Sequence, residues 1–281
     1  MASYSMADLK ALREKTGAGM MNVKRALEEA EGDPVKAEEL LRVRGLKGVA
    51  NREGRSASDG LVAAHVGPAA DGSGQVGVMV EMNSETDFVA KNQAFVSLAD
   101  RVLAAAVDSG ATDADALLNV QTDGVSVQEA IDGVAATIGE KLVLRRVARV
   151  TGEHVAVYLH KVNKDLPPQV GVLVATDAKA AEVAHDVATH VAAYSPTYVT
   201  RDEVPEQVIA DERRIAEEIA RNEGKPEAVL PKIVDGRLVG FFKENVLVDQ
   251  AFAKDSSKSV GQVLAEAGGA VLGMARFRVG A

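Results

Sequence analysis

The sequence predicts an α+β fold: an N-terminal three-helix bundle, two related α/β core subdomains with antiparallel sheets, and a helical hairpin inserted in the second subdomain. Residues 4–45 carry helix-period apolar patterns, the rest of the chain repeats one order of strands and helices, and the second copy contains 39 extra residues. The predicted domains are residues 1–55 (bundle and linker), 56–151 and 152–281, with the hairpin at 205–243.

The first domain is predicted to contain three short helices. The first spans about Met6 to Thr16, the second ends at Gly32, and the third begins at Asp33-Pro34, which supply an N-cap and a proline at the first helical position. The expected apolar positions of the second and third helices are Met21, Val23, Ala26, Leu27, Ala30, Ala37, Leu40, Leu41 and Val43. A bundle of this size resembles a ubiquitin-associated (UBA) domain. The Gly-, Ser- and charge-rich stretch from Gly45 to Gly60 predicts a linker.

The rest of the chain contains one unit twice. Three pairs of segments match: Gln75–Val80 with Gln169–Val174, Ser126-Val127 with Ser259-Val260, and Leu142–Val150 with Val271–Val279. With leading strands at Leu61–Val66 and His154–His160, each half is predicted to run strand, strand, helix, helix, strand.

The two halves differ in length at one place. Gln75 and Ser126 are 51 residues apart, whereas Gln169 and Ser259 are 90 apart, and residues 205–243 supply the difference. Two narrow apolar stripes flank a reversal at Gly224-Lys225-Pro226: Val208, Ile209, Ile215, Ala216 and Ile219 before it, and Leu230, Ile233, Val234, Leu238 and Phe241 after it. Such stripes predict a projecting antiparallel hairpin, a coiled coil closed along one seam. Pro231 predicts a kink or a late helix start in the second arm.

Composition excludes several classes of protein. The chain has 281 residues, 47% hydrophobic and only 4% aromatic, with no Trp and no Cys. Disulfides, thiolate chemistry and cysteine-based zinc sites are therefore excluded. The N-terminus lacks a signal-peptide pattern, and no apolar run approaches the ~20 residues that span a bilayer. We therefore expect a soluble, cytoplasmic protein without a membrane partner.

The charge is negative and uneven. Net charge is −9, but residues 1–55 hold 11 basic and 9 acidic side chains, so the remainder carries −11. An acidic body argues against nucleic-acid binding, which needs several cations on one face. The local basic cluster of Arg42, Arg44, Lys47, Arg52 and Arg55 is interpreted as a solvated linker in preference to an RNA contact.

No catalytic set emerges from the motifs. The five histidines lack metal-binding spacing, and neither a phosphate-binding loop nor a nucleophile elbow occurs. The spacing of Glu81, Glu85 and Asp87 is compatible with an acid–base set or a magnesium site, but no residue supplies a paired base or nucleophile. The sequence therefore predicts a protein that is not an enzyme and carries no cofactor or metal of its own.

The most informative stretch is Ser84–Asn92, with the sequence SETDFVAKN. It lies between a predicted strand and a predicted amphipathic helix with apolar positions at Phe95, Leu98, Ala99, Val102, Leu103 and Ala106. A strand-to-helix turn can hold a side chain out rigidly from a packed scaffold. Spacing alone favours a structural interpretation, in which Ser84 and Asp87 form an N-terminal box and Phe88 enters the core.

This string closely resembles the signature of the bacterial elongation factor Ts family. Lys15–Met21 (KTGAGMM) and His190–Ala193 (HVAA) also resemble the family pattern, and the resemblance covers nearly the whole chain. It implies a guanine nucleotide exchange factor that binds elongation factor Tu, a GTPase, and promotes release of GDP. The alternative is a passive, chaperone-like adaptor that binds the GTPase without accelerating exchange.

The resemblance also implies which residues act. Those expected to dislocate the partner's magnesium are Thr86, Asp87, Phe88 and Val89, and those expected to contact the partner elsewhere are Gly17, Met20, Met21, His190, Ser195 and Pro196. Two consecutive methionines cannot both face one core, so one of Met20 and Met21 is expected to be exposed. For His190 the alternative is a histidine packed near a helix end. Longer family members continue past the last strand into a helix, so any contact of that helix is expected to be lost or replaced here.

Overall fold

The computed structural model describes residues 4–16, 18–49, 52 and 54–281. Its N-terminal part is a bundle of three helices: α1 (Met6–Thr16), α2 (Met20–Glu29) and α3 (Pro34–Val49). Asp33 Oδ1 accepts hydrogen bonds from the backbone N–H groups of Val35 and Lys36, which confirms the predicted N-cap of α3. The bundle core is small and mostly aliphatic: Leu9, Leu12, Ala18, Val23, Ala26, Leu27, Ala30, Ala37 and Leu41.

The first half of the core follows the bundle. Its elements are β1 (Asp59–Pro68), β2 (Gln75–Ser84), α4 (Asp87–Ala90), α5 (Gln93–Ser109), α6 (Ala114–Leu118), β3 (Gln121–Thr122), β4 (Val125–Ser126), α7 (Val127–Ile138) and β5 (Val143–Gly152). Three of the strands form an antiparallel sheet in the order β1-β2-β5. Helices α5 and α7 cover one face of this sheet and bury Phe95 and a set of Val, Leu and Ala side chains beneath them.

The second half has the same plan with an insertion. Its elements are β6 (His154–His160), β7 (Val170–Thr176), α8 (Ala181–Tyr194), α9 (Glu206–Asn222), α10 (Leu230–Asn245), β8 (Ala251–Phe252), β9 (Asp255–Ser259), α11 (Val260–Ala267) and β10 (Val271–Arg278). The main sheet has the order β10-β7-β6, so its central strand is again the second strand of the half. This mixture of helices and antiparallel sheets confirms the predicted α+β class. The domain boundaries after residues 55 and 151 stay predictions.

The two halves also share the signals that start and stop one helix. Helices α7 and α11 each begin with a capping box, formed by Ser126 with Glu129 and by Ser259 with Gln262. Each helix ends at a glycine in the left-handed conformation, Gly139 with φ 92° and Gly268 with φ 73°. The repeat expected from the sequence is thus present down to its helix caps.

The two main sheets pack face to face, and a pair of equivalent glycines allows it. A β-carbon on Gly77 would lie 3.1 Å from Leu173 Cδ2, and one on Gly171 would lie 2.7 Å from Met79 Sδ and would overlap Val62. Gly77 and Gly171 occupy the same position in the two repeats, as do Met79 and Leu173. Each half therefore inserts a large side chain over the other half's glycine. The two sheets can pack this closely only because both positions are glycine.

Arg146 joins the two sheets by polar contacts. Its Nε donates to the fully buried Glu81 Oε2 at 2.8 Å, and its Nη2 donates to the backbone oxygen of Arg278 at 3.0 Å. Its guanidinium carbon lies 4.6 Å from the centre of the Phe277 ring. The buried carboxylate is thus paired, as buried charges must be, and the pair connects β2 and β5 of one sheet to β10 of the other.

The insertion forms a helical hairpin, α9 and α10, whose helices pack mainly against each other. Gly224, with φ 73°, lies in the reversal, and Pro231 lies in the first turn of α10, so the late helix start is confirmed. Ile215 and Ile219, predicted in the seam, are 40% and 39% exposed, which corrects that assignment. The seam consists of Ala216, Val234 and Leu238, with Ile209 and Phe242 packed against them.

The predicted linker is wrong in its first residues, because α3 continues through Gly45 to Val49. A β-carbon on Gly45 would overlap the carbonyl oxygen of Ala136, so the glycine lets α3 approach α7 backbone to backbone. Val43, predicted in the bundle core, is instead 55% exposed. The start of the predicted linker is thus part of a helix that attaches the bundle to the first half.

Candidate functional site

The candidate site is the turn between β2 and α4. Thr86 is the N-cap of α4, with φ −132° and ψ 156°, and its Oγ1 accepts a hydrogen bond from the backbone N–H of Val89 at 3.4 Å. Ser84 does not cap the helix, because its hydroxyl donates to the backbone oxygen of Thr86 at 3.0 Å. The box predicted with Ser84 is therefore replaced by a cap at Thr86, while Asp87 lies in the first turn as expected.

The side chains of this turn divide between surface and core. Phe88 is 73% exposed, whereas the next residue, Val89, is 7% exposed and packs in the first-half core. Lys91 Nζ lies 4.8 Å from the centre of the Phe88 ring. The interpretation of Phe88 as a core residue is therefore wrong. Val89 anchors the turn, and Phe88 projects from it.

Asp87 keeps a carboxylate without a local partner. The side chain is half-buried and forms no hydrogen bond or ion pair with any residue that the structure describes. Glu81 and Glu85 do not join it in an acid–base set, because Glu81 is paired with Arg146 and Glu85 accepts the backbone N–H of Lys141 at 2.7 Å. The turn thus presents one unneutralised negative charge beside one exposed aromatic ring.

A residue that the sequence analysis did not single out holds the turn in place. Glu140, between α7 and β5, accepts the Thr86 hydroxyl at 2.7 Å through Oε1 and the Thr86 N–H at 3.1 Å through Oε2. Glu85 is also bound by Arg55, whose Nη1 lies 3.3 Å from both of its carboxylate oxygens. No sequence signal marks Glu140, because it is 54 residues from Thr86 and belongs to no motif.

The basic residues near the end of the bundle are largely used within the chain. Arg44 pairs with Glu29, Arg52 donates to the backbone oxygen of Ala135 at 3.2 Å, and Arg55 bonds to Glu85. The hydrogen bonds of Arg52 and Arg55 attach this region to the first half, whereas the Arg44–Glu29 pair joins α3 to α2 within the bundle. The interpretation of the whole cluster as a solvated linker is therefore wrong for these three residues.

The bundle presents two methionines at the start of α2. Met20 is 43% exposed and Met21 is 61% exposed, so the expected exposure of one methionine is confirmed. Met21, predicted among the apolar positions of the second helix, is exposed as well, which corrects that assignment. The buried face of α2 uses Val23, Ala26 and Leu27 instead. Gly17 lies outside the described residues, and its partner contact stays a prediction. Two adjacent flexible thioether side chains form an adaptable apolar contact surface.

His190 lies inside the second half. Its side chain is fully buried, its Nδ1 accepts the backbone N–H of Ala253 at 3.1 Å, and its Nε2 lies 2.8 Å from Gln250 Oε1. Since Nδ1 is an acceptor, the proton is on Nε2, which donates to Gln250. Burial lowers the pKa of His190, and the hydrogen bond to Gln250 partly opposes this. The structure therefore matches a histidine packed near a helix end.

The surface beside His190 belongs to the end of α8. Tyr194 stacks on the His190 ring with 4.7 Å between ring centres and is 54% exposed. Ser195 is exposed and has a left-handed backbone with φ 53°, whereas Pro196 is buried. Direct partner contacts by His190 and Pro196 stay predictions that the burial of both side chains does not favour. The exposed residues between His190 and Pro196 are Ala193, Tyr194 and Ser195.

The described ranges contain no group of three or more His, Asp or Glu side chains that could hold a metal ion. No helix among them is both long and apolar enough to cross a bilayer. A cavity of about 700 Å³ lies between the bundle and α7, lined by both acidic and basic side chains including Glu29 and Arg44, which pair with each other.

Fold and site together define an α+β protein that presents a braced acidic–aromatic turn and carries a helical hairpin in the second of two related halves. A family model described as Elongation factor TS matches residues 85–281. Relatives named Elongation factor Ts include those of Beutenbergia cavernae (69% identical over 281 residues), Kocuria rhizophila (58% over 282) and Renibacterium salmoninarum (59% over 284), each covering 100% of both chains. The chain belongs to the elongation factor Ts family. It is thus a translation elongation factor, a component of protein biosynthesis.

Proposed function

We propose that this protein is a guanine nucleotide exchange factor that binds GDP-bound elongation factor Tu, disturbs its magnesium and nucleotide site, and promotes GDP release so that GTP can bind. The observation that carries the proposal is the turn at Asp87 and Phe88, where an exposed ring and an unpaired carboxylate project from a braced scaffold. Membership of the elongation factor Ts family supports it.

The two side chains have separate roles in this proposal. Asp87 brings a carboxylate, a hard oxygen ligand, towards the partner's magnesium and competes for its coordination. Phe88 acts as a wedge that holds the partner's nucleotide site open. Thr86 and Val89 position the pair, one as the helix cap and the other as the buried anchor.

Free energies limit what the turn can do alone. A nucleotide bound at nanomolar affinity is held by ~12 kcal/mol, and release accelerated ~10⁴-fold requires ~5.5 kcal/mol. Burial of one Phe ring supplies only ~1.5–3 kcal/mol. Other surfaces must therefore bind the distorted partner: the bundle with Met20 and Met21, the end of α8 with Ser195, and the hairpin. Because coupling is reciprocal, bound nucleotide weakens the complex by the same factor.

The remaining parts of the proposal concern the modules. We assign residues 1–55 to a UBA-like partner-binding bundle and the hairpin to a coiled coil that projects from the second half. The hairpin's self-contained packing supports the second assignment. The proposed site of action is the cytoplasm, with elongation factor Tu as the partner and neither nucleic acid nor membrane contacted directly.

The test is a stopped-flow measurement of labelled GDP leaving elongation factor Tu, with and without this protein. Exchange activity predicts accelerated release and dissociation of the complex by GDP. A passive adaptor would bind the GTPase and leave the release rate unchanged, and that result would refute the proposal.

The magnesium role of Asp87 is tested in the same assay. Asp87→Ala should impair release when magnesium is present and have little effect after chelation with EDTA, because EDTA removes the ion on which Asp87 acts. Phe88→Ala, the matched control, should slow release under both conditions. Equal impairment of Asp87→Ala with and without EDTA would leave Asp87 as a helix residue that only supports Phe88.

A further inference from the structure

The carboxylate of Glu140 bonds to two separate groups of Thr86. Oε1 accepts the hydroxyl at 2.7 Å, and Oε2 accepts the backbone N–H at 3.1 Å. A carboxylate has enough lone pairs to accept both, and charge-assisted bonds of this kind are stronger than neutral ones. The third polar group of Thr86, its backbone oxygen, is held by the Ser84 hydroxyl at 3.0 Å. Every hydrogen-bonding group of Thr86 thus has a fixed partner.

The contact is reciprocal. Glu140 and Lys141 form the turn that follows Gly139, the left-handed C-cap of α7. While Glu140 accepts from the backbone of the β2–α4 turn, Glu85 of that turn accepts the backbone N–H of Lys141 at 2.7 Å. Each turn therefore binds the other's backbone through a carboxylate. We call this pair of contacts, made by Glu85, Thr86, Glu140 and Lys141, the cross-turn clamp.

We infer that Glu140 is a positioning residue for the exchange reaction, acting through Thr86 on the neighbouring side chains of Asp87 and Phe88. The inference rests on the proposed function. Because the Thr86 hydroxyl donates to Glu140, its lone pairs remain free to accept the Val89 N–H and cap α4. Glu140 thus sets the direction in which the hydroxyl caps the helix. The cap in turn sets the direction in which Asp87 and Phe88 leave the surface.

A four-residue helix needs such a device. Isolated helical turns are unstable because the cost of fixing the first residues is not repaid by hydrogen bonds within the turn. α4 has only the residues Asp87–Ala90, and of these Phe88 contributes an exposed ring to the surface instead of a buried one to the core. With the clamp released, Asp87 and Phe88 would sample several orientations, and binding would have to select one of them. Such a fractional population lowers the apparent affinity in proportion.

The experiment replaces Glu140 by glutamine, which keeps the size of the side chain but removes its charge and one of the two acceptor oxygens that Thr86 uses. We expect Glu140→Gln to reduce accelerated GDP release, measured at subsaturating factor, about 10-fold, equivalent to ~1.4 kcal/mol. Glu153→Gln is the matched control, because Glu153 also accepts a backbone N–H, that of Ala178 at 2.6 Å, away from the turn.

A positioning role is separated from a merely structural one by changing the positioned side chains. In a chain that already carries Asp87→Ala and Phe88→Ala, Glu140→Gln should cause no further loss, because nothing remains to be oriented. An equal loss in both backgrounds would assign Glu140 to general stability and overturn the inference.

Amide hydrogen exchange of the free protein supplies a readout that does not depend on the partner. Glu140→Gln should accelerate exchange at the N–H groups of Thr86 and Val89 while the melting temperature stays close to that of Glu153→Gln. Unchanged hydrogen exchange at both amides would overturn the inference, whatever the rate of GDP release. If the unmodified protein did not accelerate GDP release, both the proposed function and the role of Glu140 would be refuted. If the unmodified protein accelerated release and the Glu140→Gln variant were equally active, only the positioning role would be refuted.

Discussion

The contrast between two phenylalanines in neighbouring helices tests whether the turn serves the surface or the fold. Phe88 is 73% exposed and Phe95 is fully buried, although only seven positions separate them. We expect Phe95→Ala to lower the free energy of unfolding by ~3–5 kcal/mol, the usual cost of emptying a core site of this size. Phe88→Ala should cost at most ~1 kcal/mol, from the small buried part of its ring and its contact with Lys91.

The effect on partner binding should run the other way. If the complex covers the exposed 73% of the Phe88 ring, its removal forfeits that share of the ~1.5–3 kcal/mol for a whole side chain. The loss is then ~1–2 kcal/mol, or about 5- to 30-fold in affinity. Phe95→Ala, where the variant remains folded, should bind with nearly unchanged affinity, because its ring never reaches the surface.

Urea unfolding and calorimetric titration against nucleotide-free elongation factor Tu measure the two quantities on the same samples. Phe88→Ala should appear as a binding variant and Phe95→Ala as a stability variant. A loss of ~3 kcal/mol or more in the stability of Phe88→Ala would refute the assignment of the ring to the surface. Normal stability combined with normal affinity would refute its role at an interface.

Three further outcomes are expected. Replacing residues 205–243 by a short Gly/Ser loop should keep thermal unfolding cooperative, because the hairpin packs mainly on itself; loss of cooperativity would make it part of the core. Burial lowers the pKa of His190, so its contribution to the free energy of unfolding should be fully present above the unfolded pKa of ~6.5. Below that pH the free energy of unfolding should fall by up to ~1.4 kcal/mol per pH unit. His190→Gln should remove this pH dependence, and identical pH profiles for the two proteins would contradict the prediction. Gly171→Ala should cost ~1–3 kcal/mol because the new methyl overlaps Val62, whereas Gly273→Ala, with open space around it, serves as the control, and equal denaturant midpoints for the two would contradict the packing.

Local sequence signals determined the elements themselves. The bounds of α1 were predicted at Met6 and Thr16, and the hairpin and the late start at Pro231 followed from apolar periodicity and from the proline itself. These features depend on neighbours within about four positions, so a short stretch of sequence is enough to predict them. The stretch SETDFVAKN was located for the same reason, as a turn between a strand and an amphipathic helix.

Other features depended on surfaces that meet from distant parts of the chain. Composition suggested a linker at Gly45, but a close approach to Ala136 lets α3 continue there. The two methionines were expected to divide between core and solvent, yet Val23, Ala26 and Leu27 already fill the buried face of α2, so both remain outside. Burial is decided by which surfaces pack together, and a periodic pattern does not specify the partner surface.

The candidate site divides in the same way. The sequence by itself determined that an acidic and an aromatic residue follow a strand and open a helix, since that order is fixed by the chain. Only the tertiary structure decided that Phe88 projects while Val89 is buried, that His190 is enclosed, and that Glu140 holds Thr86 from 54 residues away. Exposure and long-range hydrogen bonds arise when the sheet brings the ends of β2 and β5 side by side, and this antiparallel pairing places Glu85 and Thr86 within reach of Glu140 and Lys141.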